Sequence, residues 1–450
     1  MKKNLLIIQW DGPYFLFETL QVLEKSRASL KGFSITILAT KSSIEKLQGH
    51  VHTNEHTLTS DIIPILNHQF DMSFNLSMDE SSWITHEKIN SKIKIGPHVK
   101  DGELAVPDLW STFLLTVKSG APFLTFHLQD IYKNILGIKA QPQMSSQASH
   151  IREIILGRFA EAYVDHSQME NLKKLIAGAY PQVTLKNVSE VDLVSDFTHS
   201  LYIGPADLDA VKLCEAGARG IFIGRQFQGL NLIPYGPQNF IISTKSEKVE
   251  NTKLMGIISS IINRASLDLS TNYSLYKTDI DTFGVFIKSL NASDTSYPFY
   301  QCHVVLWNFL LNLLDINLDI ASCGKEQLEV LKNHHHAVSK LLRLHDYALS
   351  SIDTIYLQTK SASSEADVIE GHLKNLKEID GIMAQLAESH PFIRPFLDFY
   401  RIRRGQNDGS TLNEKTQNTF ITYTEEHHAL SALNELFSVT LRKNEASILR

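Results

Sequence analysis

Cysteine is scarce. Cys214, Cys302 and Cys323 are the only three among 450 residues, odd in number and far apart, which excludes a disulfide framework and the close spacings of a zinc site. Such thiols suit a reducing compartment, and the expectation is a cytoplasmic protein. Long apolar runs are also lacking. Residues 304–314 come nearest, interrupted by Asn308 and Asn312, against the roughly 18 consecutive apolar residues of a membrane span. After two N-terminal lysines an apolar run starts and stops at Gln9, Trp10 and Asp11, so it reads as a first strand rather than a signal peptide. There is no basic surplus: 43 Lys and Arg face 49 Asp and Glu, for a net charge of -6. With no polybasic run, nucleic acid is not an expected partner. A Walker loop and a Ser-His-Asp arrangement are absent as well.

What is present is hydrophobic residue enough, 43% of the chain, for a large core divided among two or three domains. Residues 1–140 alternate short apolar runs with helical patterns, the mark of βαβ repeats. Strands are expected at 5–8, 33–39, 62–66, 70–76 and 93–95, with helices at 17–25 and 44–47. A Gln/Pro/Ser stretch at 140–149 is a linker. Residues 150–245 form a smaller second Rossmann-like half, with strands at 151–156, 182–186 and 240–243 and helices at 160–177 and 191–197.

The centre of that half is 201–224, LYIGPADLDAVKLCEAGARGIFIG. Three apolar residues stop at Gly204-Pro205, Leu208, Val211 and Ala216 then share a helical face, and Gly217 and Gly220 lead into a second strand. Such a unit needs a parallel sheet covered on both faces, and ligands bind beyond the carboxyl ends of its strands. A helix start beside Gly204 suits a phosphate or diphosphate; chain reversal alone explains Gly204 and Gly217 equally well.

From about residue 252 strand signals fade. Leu328, Leu331, His335, Val338, Leu342, His345, Leu349, Ile352 and Tyr356 fall at spacings of three and four, a coiled-coil-like seam. After a polar break, Ile369, Leu373, Leu376, Met383 and Leu386 resume the stripe, so residues 252–450 are expected to be all-helical with an antiparallel hairpin. A paired helix with an apolar seam also suits a homodimer or a partner protein held through 327–390.

Taken in order, LLIIQWDGPYFLFETLQVLEK, FSITILAT, FDMSFNLSMDESS, FHLQDIYKNILGI and the 201–224 stretch resemble the heptosyltransferase-like glycosyltransferases of family 9 over residues 1 to about 245. The resemblance implies a GT-B fold, two Rossmann-like domains facing across a cleft, with a nucleotide-sugar donor held mainly by the second. It implies transfer of the sugar to a carbohydrate, lipid-linked or protein acceptor; no metal or other cofactor is expected. Where the family carries Gly-Asp at the end of the first turn, this chain has Asp11-Gly12, and an ungapped count puts Phe15 at the position of the base. The family's Asp and His beside the donor phosphates fall on Ala206 and Val211. These departures leave a second expectation open, a catalytically inactive GT-B-like protein that acts as a binding or scaffold module through its helices.

Glycosyl transfer needs a base and groups that stabilise a departing diphosphate. Asp11 directly follows a strand and is the candidate base; Asp before Gly is also a common turn pair. Gly12, Gly157, Arg158, Gly204, Asp207, Gly224 and Arg225 are the candidates for the donor phosphates. Arg158 and Arg225 each follow a strand-end glycine, where a guanidinium can clamp phosphate oxygens. Asp207 and Asp209 open a helix and are also explained as caps. His334, His335 and His336 project in different directions and cannot share one ion.

Overall fold

The computed structural model describes residues 2–47, 56–100, 102–120, 127–138, 150–158, 166–192, 195–224, 235–236, 239–243, 249–263, 274–281, 284–289, 325–361, 365–406 and 411–448. By contacts the chain divides into two compact units, Met1–Ile95 with Pro122–Asn291, and Gly96–Ala121 with Ala292–Arg450.

The chain opens as an alternation of β1 (Lys3–Gln9), α1 (Pro13–Lys25), α2 (Arg27–Leu30), β2 (Phe33–Ala39), α3 (Lys41–Leu47), β3 (His56–Thr59), α4 (Ile62–Leu66), β4 (Gln69–Asn75), α5 (Glu80–Lys88) and β5 (Asn90–Ile95). The five strands form one parallel sheet in the order β3-β2-β1-β4-β5. β1 is central, and its unbroken run Leu5, Leu6, Ile7, Ile8 is buried throughout. Helices cover both faces of such a sheet, so apolar residues need not alternate; each of these side chains contributes about 1.5–3 kcal/mol by leaving water. Residues 62–66, expected as a strand, are α4 instead: the Asp61 carboxylate accepts from the Ile63 N–H at 3.1 Å and caps a helix that the apolar run alone could not distinguish from a strand. The third strand is the more polar β3.

Next come β6 (His98–Lys100), β7 (Glu103–Ala105) and α6 (Leu109–Gly120), which belong to the other unit, then α7 (Leu128–Ile135) back in the first. The second sheet follows: β8 (Glu153–Leu156), α8 (His166–Ala179), β9 (Thr184–Asn187), β10 (Ser200–Gly204), α9 (Leu208–Glu215), β11 (Arg219–Gly224), β12 (Phe240–Ser243), α10 (Asn251–Asn263), β13 (Ser274–Asp281) and β14 (Gly284–Ser289). Its order is β14-β13-β12-β11-β10-β8-β9. Strands β8 to β12 are parallel, and β13 and β14 add an antiparallel edge. Strand structure therefore continues past residue 252. Of the helix expected at 191–197, residues 193 and 194 lie outside the described residues, and 191, 192 and 195–197 are not helical. A 3-10 turn precedes them at Val188–Glu190, and the Phe197 N–H donates to the Ala216 carbonyl at 2.9 Å.

The second unit is dominated by α11 (Lys325–Lys360), α12 (Ala366–Ser389), α13 (Arg394–Gly405) and α14 (Leu412–Ile448). α11 packs on both α12 and α14. Its buried line runs through Leu331, Val338, Leu341, His345, Ala348, Ile352 and Ile355. Four expected seam residues, His335, Leu342, Leu349 and Tyr356, are only partly buried. The buried face is rotated because two neighbouring helices, rather than one, cover α11. The fold is thus α/β, with one parallel sheet, a second whose five parallel strands carry an antiparallel edge, and a helical C-terminal region. No described helix is long and apolar enough to cross a membrane.

Candidate functional site

In the first sheet the chain winds outward from β1 to β2 and β3, then returns to β4 on the other side of β1. The carboxyl ends of β1 and β4 therefore flank a topological switch point, where doubly wound sheets hold ligands. Asp11 stands there, partly exposed, two residues past the end of β1. Its Oδ1 accepts from the Ser77 hydroxyl at 3.1 Å, and the Met78 N–H lies 3.0 and 2.8 Å from its two oxygens. Gly12 follows at φ +124, a backbone that side chains rarely adopt, and leads directly into Pro13 at the start of α1. Beneath this turn lies a buried polar floor of Gln9, Asn75 and Ser77. Gln9 donates to the Tyr132 hydroxyl at 2.8 Å and fixes the Asp11 N–H through its own side-chain oxygen at 3.1 Å.

The other sequence candidates gather at the carboxyl edge of the second sheet. Gly157 directly follows β8, and Gly204 and Gly224 end the neighbouring strands β10 and β11. The Gly157 N–H donates to the Ile203 carbonyl at 2.8 Å. A Cβ on either Gly157 or Gly204 would collide with the buried Tyr202 ring and approach the other glycine's Cα. The Tyr202 hydroxyl, lying across both, donates to the Pro205 carbonyl at 3.1 Å. These two glycines are therefore required by packing, whatever else they do. Asp207 caps α9, accepting from the Ala210 N–H at 2.9 Å, and burial pushes its carboxyl above the usual range. Arg158 is exposed; Arg225 lies outside the described residues.

A second constellation was not singled out from the sequence. Glu18 of α1 is fully buried, as is Gln129 of α7. The Gln129 amide nitrogen donates to both Glu18 and Glu215, the last residue of α9. Lys25 donates to the Gln129 oxygen at 3.0 Å and pairs with Glu215 at 2.7 Å. Its ammonium also stands 4.4 Å above the Tyr235 ring. The Tyr235 hydroxyl in turn donates to Asp130 at 3.2 Å, and Asp130 pairs with Lys133 at 3.1 Å. His127 caps α7 through its ring and meets the Tyr235 ring edge-on.

Burial, and next the nearby Glu215 charge, push the Glu18 carboxyl up to about 8, against the opposing pull of Gln129, Lys25 and Tyr14. Glu18 therefore keeps its proton near neutrality. The sequence signal was a lone carboxylate between Phe17 and Thr19 in a stretch otherwise facing inward; its partners lie too far along the chain for local pattern to join them.

Glu215 closes the helix that returns from the carboxyl end of β10 to the start of β11, and Tyr235 lies just ahead of β12. Both belong to the amino edge of the second sheet. The joint with α1 and α7 and the glycine-bearing edge are thus on opposite edges of that sheet. Among the described residues no group of three or more His, Cys, Asp or Glu is disposed to hold a metal ion.

No family model matches the chain, and no curated protein matches it. Among solved structures, E. coli heptosyltransferase WaaC with ADP is similar at a TM-score of 0.35 and 9% identity, over 59% of this chain and 100% of that one. The same enzyme with ADP-2-deoxy-2-fluoro heptose is similar at 0.30 and 10% identity, over 52% of this chain and 90% of that one. Likeness at this level transfers neither activity nor ligand.

Proposed function

We propose that the chain is a glycosyltransferase-like protein that moves a sugar from a nucleotide-sugar donor to a carbohydrate, lipid-linked or protein acceptor. The observation that carries this reading is Asp11, a carboxylate held in the switch-point crevice between β1 and β4 by Ser77 and Met78. Asp11 takes the proton of the acceptor hydroxyl as its oxygen forms a bond to the anomeric carbon. The bond from that carbon to the donor phosphate breaks, and the nucleoside diphosphate leaves with the electron pair. Arg158 and Arg225, with the backbone N–H groups near Gly157, Gly204 and Gly224, and Gly12 on the acceptor side, supply the polar surroundings for the diphosphate. Asp207, beside Gly204, is taken up in capping α9 through the Ala210 N–H at 2.9 Å.

Two observations favour a second reading. Both Asp11 oxygens are engaged by the 77–78 turn, and the buried joint involves the amino edge of the second sheet rather than its glycine-bearing edge. On that reading Asp11 fastens β1 to β4, and the protein is a catalytically inactive binding module that works through its helices.

A thermal-shift panel of nucleoside diphosphates and sugar nucleotides on the wild type and Arg158→Ala separates the two. A ligand that binds only the native state raises the melting point. Stabilisation by one nucleotide family, reduced by Arg158→Ala, is the result the transferase reading expects; no stabilisation at millimolar concentration favours the binding module.

A further inference from the structure

The helical unit holds a feature that glycosyl transfer does not use. Helices α11, α12, α13 and α14 leave between them a groove of about 520 Å³, within the roughly 300–1,000 Å³ common for small-molecule sites. Ile352 and Ile355 form its floor and are buried. Leu373 and Leu412 stand on its sides with 52% and 67% of their surface exposed, so large apolar groups face water where a ligand could cover them.

The charges around it are unbalanced. Arg401 is paired with Asp398 at 2.9 Å, and Arg404 with Asp380 at 3.2 Å and with Glu426. Lys377 and Lys415 also border the groove, are exposed, and form no ion pair among the described residues. Asp380, the one carboxylate of the lining, is already engaged by Arg404. An apolar channel with two uncompensated ammonium groups at its rim complements a molecule that is apolar along its length and negative at one end. A protein partner fits less well, because a stable protein interface buries about 1,200 Å² or more, far more than such a groove offers.

We propose that this groove binds a single-chain amphiphile with an anionic head, its alkyl chain lying along Ile352, Ile355, Leu373 and Leu412 and its head group between Lys377 and Lys415. The inference is independent of the reading of Asp11, since it rests on residues of the helical unit alone.

The test uses the full chain and four probes that share one alkyl chain: tetradecanoate, tetradecyl phosphate, tetradecanol and tetradecyltrimethylammonium, the three ionic probes titrated calorimetrically below their critical micelle concentrations and the alcohol within its aqueous solubility. The two anions are expected to bind saturably at one site and the cation not at all. The variant Lys377→Glu with Lys415→Glu changes exposed residues only. It is expected to bind the anions about tenfold more weakly, as the loss of two exposed charge pairs implies, while its melting point and its affinity for tetradecanol stay unchanged. Leu373→Glu, also at an exposed position, should weaken all three bound probes. Absence of saturable binding, equal binding of the cation and the anions, or undiminished anion binding by the double lysine variant would each overturn the proposal.

Discussion

Glu18 and Glu215 accept from the same nitrogen, the Gln129 side-chain amide. One carboxylate comes from the first helix of the chain and the other from the end of α9, so a single donor ties the two sheets of the first unit together. Two buried carboxylates on one donor do not both ionise at low cost, and the proton falls to Glu18. This arrangement gives the fold a pH dependence that composition does not suggest.

Glu18 has its folded pKa raised from 4.5 to about 8. A raised pKa means that the native state binds the proton more tightly than the unfolded chain, so the associated stability is complete below pH 4.5 and is lost as pH rises through about 8. Glu18→Gln keeps an acceptor for Gln129 and removes the titration. Urea unfolding from pH 5 to 9 should show a declining stability for the wild type, and a markedly flatter profile for the variant with higher stability at pH 8.

Lys25→Met removes the cation that bridges Gln129 and Glu215. It leaves Glu215, whose side chain is only 8% exposed, without its counter-charge, at a cost of about 1–3 kcal/mol. Adding Glu215→Gln should restore part of that loss. A double-mutant cycle by chemical denaturation measures the coupling, and additive effects would contradict the pairing.

Gly204→Ala drives a methyl group into the Tyr202 ring and toward the Gly157 Cα. Overpacking of this kind costs about 1–3 kcal/mol. The nearest atom is the Tyr202 hydroxyl oxygen, with the ring Cζ and the Gly157 Cα close behind it, so Tyr202→Phe should relieve only part of the loss. If unfolding showed Gly204→Ala as stable as wild type, packing would not be what requires glycine there.

In the helical unit Arg404 meets Glu426, which is fully buried, and stacks 4.7 Å from the Tyr423 ring. Arg404→Met leaves the Glu426 charge without its main partner, although His345 lies 3.1 Å away. The expected loss is about 3–5 kcal/mol. The double variant with Glu426→Gln should be more stable than Arg404→Met alone, as thermal melts would show.

The parts of the fold set by local pattern were legible in the residues. Leu5 to Ile8 announced β1, FSITILA matched β2 throughout its length, and Gly204-Pro205 and Gly217 bounded the β10-α9-β11 unit where expected. Short apolar runs misled where capping decides the outcome: Asp61 turns 62–66 into a helix. Strand β13 pairs with β12, and β14 pairs with β13, and nothing in their own sequence declares those partnerships. On α11 the spacing showed that a face is buried, but the angle of that face depends on two flanking helices. The candidate at the end of β1 could be read from strand, Asp and Gly. The Glu18 network could not, since its members come from four separate segments and only the fold brings them together.

The most direct measurement is the slow hydrolysis of a bound sugar nucleotide, with water in place of the acceptor, followed as release of nucleoside diphosphate by wild type and Asp11→Asn. If Asp11 is the base, the variant binds the donor as wild type does and releases diphosphate about 10²–10⁴-fold more slowly. Equal release rates in the two proteins would contradict that role and leave Asp11 as the residue that fastens β1 to β4.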